Sequence, residues 1–131
     1  MNTTKKLILI ADDDQDCMEL MKFHVEKFGF ETIIAHSQKE CEKIIENVKP
    51  DLAIFDLMME NDDSGFILSY KLKKKYPDTP VILATAVSSA TGYIFESEEE
   101  TEQSWIKADA FLEKNIRPDQ LHRTINKLLK L

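Results

Sequence analysis

Glycine is scarce in this chain of 131 residues, with only Gly29, Gly65 and Gly92 present. Phosphate-binding loops of the G-x-G-x-x-G and G-x-x-x-x-G-K types need closely spaced glycines, because the backbone must approach the phosphate. No two of these glycines lie close enough for either motif. The sequence therefore excludes the classical dinucleotide-binding and P-loop enzymes.

Cysteine is equally rare, with Cys17 and Cys41 far apart and no C-x-x-C pair. We expect two buried free thiols in a reducing compartment. The three histidines are scattered and form no H-E-x-x-H motif, so a zinc site has no support.

Long apolar runs are absent as well. The run Leu7–Ala11 follows two lysines, but it is too short for the core of a signal peptide and ends in three aspartates. No stretch approaches the length of a membrane span. The net charge of −7 argues against a nucleic-acid partner. We expect a cytoplasmic protein that binds neither nucleic acid nor membrane.

The composition is that of a globular protein, with 43% hydrophobic and 31% charged residues and no linker-like stretch. We therefore expect a single domain over residues 1–131. Short apolar runs alternate with patterns of helical period, which predicts an α/β fold with a parallel sheet and helices on both faces. The five predicted strands are Leu7–Ala11, Glu31–Ala35, Leu52–Phe55, Val81–Ala86 and Ala110–Leu112.

One segment breaks this alternation. An acidic insert around residues 92–106 contains the run Glu96–Glu102, with aromatic residues on both sides. Two interpretations stay open: a solvated helix or loop, or a surface that recognises a partner.

Functional groups gather beyond the carboxyl ends of parallel strands. Those ends deliver carboxylates, a hydroxyl and an ammonium group: Asp12, Asp13, Asp14, Asp56, Thr85, Glu113 and Lys114. Carboxylates so close together repel one another unless a cation joins them, and Mg²⁺ prefers such oxygen ligands. A metal beside a lysine and a hydroxyl suits the binding of a phosphoryl group, and a remaining carboxylate can attack phosphorus.

The sequence resembles the receiver domain of two-component response regulators over Lys6 to Leu129. The matching pieces, in order, are Asp12-Asp13, Asp56 followed by Leu57-Met58-Met59, Thr85-Ala86, and Lys114 after Phe111-Leu112-Glu113. The resemblance implies a flavodoxin-like (βα)5 fold, a doubly wound five-stranded parallel sheet with strand order 2-1-3-4-5.

The resemblance also implies roles for single residues. Asp56 accepts the phosphoryl group; Asp12, Asp13, Asp56 and the Met58 carbonyl hold Mg²⁺; Thr85 and Lys114 bind the phosphoryl oxygens. Thr85 and Phe111 act as the switch. The chain is then no enzyme beyond self-phosphorylation and self-dephosphorylation. Its partners are a histidine kinase or phosphotransfer protein, and a downstream protein bound by the fourth helix, fifth strand and fifth helix.

Three departures from the family pattern keep other functions open. Glu60 stands where proline is common, and the following loop is one residue longer; Asn115 replaces the usual proline after Lys114; and the insert is added. One alternative is a degenerate, never phosphorylated receiver that acts as an interaction scaffold. Another is a small Mg²⁺-dependent phosphatase, although Met58 occupies the position of its second aspartate.

Charged residues near these positions have simpler interpretations. Asp14 and Asp16 suit the N-terminus of a helix, whose dipole favours negative charge. The lysines from Lys71 to Lys75 suit a solvated helix end.

Overall fold

The computed structural model describes residues 5–57, 59, 61, 63–85, 108–113 and 117–131. The acidic insert predicted around 92–106 and the region of the predicted fourth helix lie outside the described residues. Nine elements are described: β1 (Leu7–Ala11), α1 (Gln15–Lys27), β2 (Glu31–Ala35), α2 (Gln38–Asn47), β3 (Leu52–Asp56), α3 (Ser64–Lys75), β4 (Val81–Thr85), β5 (Ala110–Glu113) and α4 (Pro118–Leu129).

The five strands form one sheet in the order β2-β1-β3-β4-β5, and every neighbouring pair is parallel. This confirms the predicted fold class and strand order. The order reverses between β1 and β3, so both strands end in the crevice where ligands bind in open α/β sheets.

The sheet separates two hydrophobic layers, because successive strand side chains point to opposite faces. Leu9 and Ala11 of β1 face α2 and α3, where they pack with Cys41, Phe55 and Leu68. The intervening residues of β1 face α1 and α4; this second layer contains Ile8, Ile10, Val25, Leu52, Ile54, Leu121 and Ile125. Burial of β1 and β3 on both faces explains why their sequences read as continuous apolar runs.

The N-terminus of α2 is capped by Ser37 and Glu40. The Ser37 hydroxyl accepts a hydrogen bond from the Glu40 amide at 3.0 Å. The Glu40 carboxylate accepts from the His36 backbone N–H at 2.6 Å, and this bond lowers the pKa of Glu40. The contribution of this bond to stability is therefore present above the ordinary glutamate pKa and is lost as the pH falls through the lowered value.

Two surface features differ from simple expectation. The interpretation of the lysine run as a solvated helix end is wrong for Lys73, whose ammonium lies 2.8 Å from the Asp109 carboxylate and whose side chain is only 16% exposed. Leu20, although it follows the helical spacing of apolar residues in α1, is 58% exposed. Within the described residues, no helix combines the length and apolarity needed to cross a bilayer.

The two cysteines should differ in reactivity toward iodoacetamide. Burial raises the pKa of Cys41 to about 12, so at pH 8 only about one thiol in ten thousand is the reactive thiolate. Cys17 is half-buried, so the prediction of two buried thiols is confirmed for Cys41 and wrong for Cys17. Intact-mass analysis of the native protein should show one rapid modification, which Cys17→Ser removes, and a second only after unfolding. Rapid native labelling of Cys41 would contradict this burial.

Candidate functional site

Three carboxylates meet at the carboxyl ends of β1 and β3. Asp12, Asp13 and Asp56 each offer an oxygen, and these oxygens all lie within 4.8 Å of one another. The cause is strand register: Ala11 pairs with Phe55, so Asp12 and Asp56 leave adjacent strands at the same level. Asp12 and Asp56 are 4% and 6% exposed, whereas Asp13 is exposed.

The backbone after β1 explains which aspartates join this cluster. The Asp12 carboxylate accepts a hydrogen bond from the Asp14 amide at 2.9 Å, while the Asp12 amide donates to the Ala35 carbonyl. The Asp14 carboxylate is turned to the start of α1 and accepts from the amides of Asp16 and Cys17. These bonds support the interpretation of Asp14 as a helix-capping residue.

A magnesium ion fits this set of donors. Oxygen ligands at about 2.0–2.1 Å in octahedral geometry stand roughly 2.9 Å apart when adjacent and about 4.1 Å apart when opposite. The oxygens of the three carboxylates lie within 4.8 Å of one another, an upper limit somewhat above the separation of opposite ligands. Two carboxylates are buried and one is open to water, which suits an ion that keeps several water ligands.

The segment after Asp56 is held against the sheet by its backbone. The Leu57 amide donates to the Ala84 carbonyl at 2.8 Å, and the Gly65 amide donates to the Leu57 carbonyl at 2.7 Å. A Cβ atom at Gly65 would lie 2.7 Å from the Leu57 Cα and 2.8 Å from the Asp56 carbonyl oxygen. Glycine is therefore needed where α3 approaches the end of β3.

Sequence reasoning missed two residues beside the site. Gly65 was noted only as one of three glycines, although a glycine at the start of a helix indicates a close approach of the backbone. Gln38 had no signal at all, because its contact with Ser64 at 2.7 Å joins residues remote in the chain.

Of the other predicted site residues, the structure describes some in full, some only in part and others not at all. Asp56 pairs with Ala84 in β4, and Thr85 ends that strand opposite Glu113 of β5. The Thr85 side chain, Met58, and Lys114 with its bond to Asn115 lie outside the described residues.

Phe111, the predicted aromatic switch, lies in β5 opposite Leu83 and is half-buried. Its ring meets the Phe66 ring edge-on, with centroids 6.5 Å apart. Phe111 therefore contacts α3, the helix that follows the segment after Asp56.

Comparisons with known proteins agree with this geometry. Residues 8–126 match the family described as response regulator receiver domain. A CheY-like receiver domain protein from Methanospirillum hungatei has a TM-score of 0.82 and 30% identity over 97% of this chain and 95% of its own. Response regulator TrrA from Thermotoga maritima, in complex with Mg²⁺-BeF, has a TM-score of 0.76 and 27% identity over 94% of this chain and 98% of its own.

Among curated proteins, the transcriptional regulatory protein PhoP of Bacillus subtilis is 25% identical over 95% of this chain but only 49% of its own length. The chain spans about half the length of the first curated relatives it matches, and about a quarter of GlrR from Escherichia coli.

Two substitutions within α3 test the close approach at Gly65. Gly65→Ala should lower the free energy of unfolding by about 1–3 kcal/mol, because the added methyl group overlaps backbone atoms. Ser69→Ala is the matched control: Ser69 is buried and its hydroxyl has no hydrogen-bond partner within the described part of the chain. Its loss should be neutral or stabilising. Equal destabilisation of both variants in urea titrations would refute this argument.

Proposed function

We propose that this chain, which belongs to the response regulator receiver domain family, accepts a phosphoryl group on Asp56 in a Mg²⁺-dependent reaction and thereby switches a surface that binds a partner. The observation that carries the proposal is the convergence of Asp12, Asp13 and Asp56 at the ends of two adjacent strands. The complex of the Thermotoga relative with Mg²⁺-BeF supports a magnesium site in the same fold.

The chemistry is nucleophilic substitution at phosphorus. An Asp56 oxygen forms a bond to phosphorus while the bond between phosphorus and the nitrogen of a phosphohistidine donor breaks, and the histidine nitrogen keeps the electron pair. Asp12 and Asp13, with the Met58 carbonyl, would hold Mg²⁺, which neutralises charge on the phosphoryl oxygens when bound. In this proposal the Thr85 hydroxyl and the Lys114 ammonium bind the remaining phosphoryl oxygens.

The switch follows from the added negative charge. Thr85 moves toward the phosphoryl group, and Phe111 changes its packing against Phe66 in response. Such a device needs a two-state element that the new charge biases. The segment between β4 and β5, where a helix is predicted, then presents the altered surface to a downstream protein together with β5 and α4. A histidine kinase or phosphotransfer protein supplies the phosphoryl group. Further activity is confined to self-phosphorylation and self-dephosphorylation.

A scaffold that is never phosphorylated is the second candidate. Asn115 and Glu60 stand where the family commonly has proline, and both positions adjoin proposed site residues. If these changes displace Lys114 or the Met58 carbonyl, the fold and its partner surface can persist without phosphoryl transfer.

Intact-mass measurement with a small acyl phosphate donor separates the two candidates. With Mg²⁺, the protein should gain one phosphoryl group. Chelation of the metal should abolish this gain, and so should Asp56→Asn. Asp16→Asn is the matched control, because Asp16 lies in the first turn of α1 and outside the carboxylate cluster. Equal labelling of wild type and Asp56→Asn would reject Asp56 as the acceptor. Absence of labelling in both would favour the scaffold.

Direct titration with Mg²⁺ tests the metal site separately from phosphorylation. Asp12→Asn and Asp13→Asn should each raise the dissociation constant for Mg²⁺ by about tenfold or more, because each removes a negative oxygen ligand. Glu19→Gln, on the exposed side of α1, should leave it unchanged. Isothermal titration calorimetry measures all four proteins; unchanged affinity in both aspartate variants would place the metal elsewhere.

A further inference from the structure

We infer that Gln38 of α2 is a positioning residue that fixes the second half of the loop between β3 and α3, and thereby sets the affinity of the acidic cluster for Mg²⁺. The inference rests on the proposed function, because that loop carries the Met58 carbonyl. Gln38 lies outside the carboxylate cluster and acts through Asn61 and Ser64.

The contacts of Gln38 join a helix to the loop. Its side-chain oxygen accepts hydrogen bonds from the Ser64 hydroxyl at 2.7 Å and from the Asn61 side-chain amide at 3.1 Å. The same Ser64 hydroxyl accepts from the Asn61 backbone amide at 3.0 Å. Ser64 is fully buried, so the bonds of its hydroxyl are partly shielded from competing water, whereas the bond from the Asn61 side chain is exposed. The three residues form one closed group.

The neighbours of Gln38 allow one orientation of its amide. Its nitrogen donates to the Glu42 carboxylate at 2.9 Å, and the same carboxylate oxygen lies 3.0 Å from the Lys71 ammonium of α3. A carboxylate only accepts hydrogen bonds, so the nitrogen must face Glu42 and the oxygen must face the loop. The group is therefore a fixed chain of polar contacts from α3 through α2 to the loop.

Neither proline nor a side-chain helix cap stiffens the described part of the loop. Proline would fix a backbone torsion angle, but Glu60 occupies the position where the family commonly has it. Asp63 stands at the N-cap of α3 and makes no capping hydrogen bond through its side chain. The bonds from Leu57 hold the first half of the loop, and the Asn61 carbonyl accepts hydrogen bonds from the Met59 and Ser64 amides at 3.1 and 3.2 Å. The Gln38 group anchors Asn61 itself, through its side chain and its backbone amide.

A charge exchange between Gln38 and Glu42 tests the role of the group. Gln38→Ala removes the acceptor for Asn61 and Ser64, and Gln38→Glu places two carboxylates in contact. Each should raise the dissociation constant for Mg²⁺ by roughly three- to tenfold, the equivalent of one or two ordinary hydrogen bonds. The double variant Gln38→Glu, Glu42→Gln restores one amide N–H donor facing one carboxylate, with the two residue types exchanged. It should recover the wild-type affinity for Mg²⁺ to within about twofold.

Tyr76→Phe is the matched control. The Tyr76 hydroxyl donates to the Ile45 carbonyl at 3.1 Å and so joins α3 to α2 at the end remote from the loop. Its loss should lower the melting temperature without changing Mg²⁺ affinity. Amide hydrogen exchange without metal gives an independent readout, because Gln38→Ala should accelerate exchange of the Asn61 amide while Tyr76→Phe should not.

The outcomes distinguish the positioning role of Gln38 from the proposed Mg²⁺ site. Wild-type Mg²⁺ affinity in Gln38→Ala, or failure of the folded double variant to recover, would overturn the positioning role. Unchanged exchange at Asn61 in Gln38→Ala would overturn it as well. Absence of Mg²⁺ binding by the wild type, with exchange at Asn61 still dependent on Gln38, would instead count against the proposed function of the acidic cluster.

Discussion

The site depends on the parallel pairing of β1 with β3. That register brings Asp12 and Asp56 out of the sheet side by side, and Asp13 follows directly on the first. Like charges at such distances oppose the arrangement, so the fold must hold them together by other means. The means are the apolar side chains of the two strands, which are buried on both faces of the sheet.

Each of these two strands carries core residues along its length and clustered carboxylates at its carboxyl end. Residues within β1 and β3 alternate between the two hydrophobic layers, while the last residue of β3 and the first residues beyond β1 carry the carboxylates. The helices then complete the site through their N-terminal ends: Asp14 begins α1, and Gly65 lets α3 approach β3. Binding groups are thus supplied by positions that the core does not need.

Local patterns in the sequence predicted the strands and the three clustered aspartates, because each depends on neighbouring residues or on the general topology of parallel sheets. Contacts between distant residues were not predicted. Lys73 was predicted to be solvated, but its ammonium forms an ion pair with Asp109 of a later segment. No sequence pattern pointed to Gln38, because its partners Asn61 and Ser64 are brought near it only by folding. The roles of Thr85, Lys114, Met58 and Phe111 stay predictions.

The contacts of Asp109 bear on how the segment between β4 and β5 of this chain can vary in length. One oxygen of its carboxylate accepts from the Val81 amide at the start of β4 and also meets Lys73 of α3, while its own amide donates to the Val81 carbonyl. The chain entering β5 is thus fastened to the opening residue of β4, so the register of these strands does not depend on what lies between them. We therefore expect this chain to tolerate insertions and deletions between β4 and β5 without loss of the strand register.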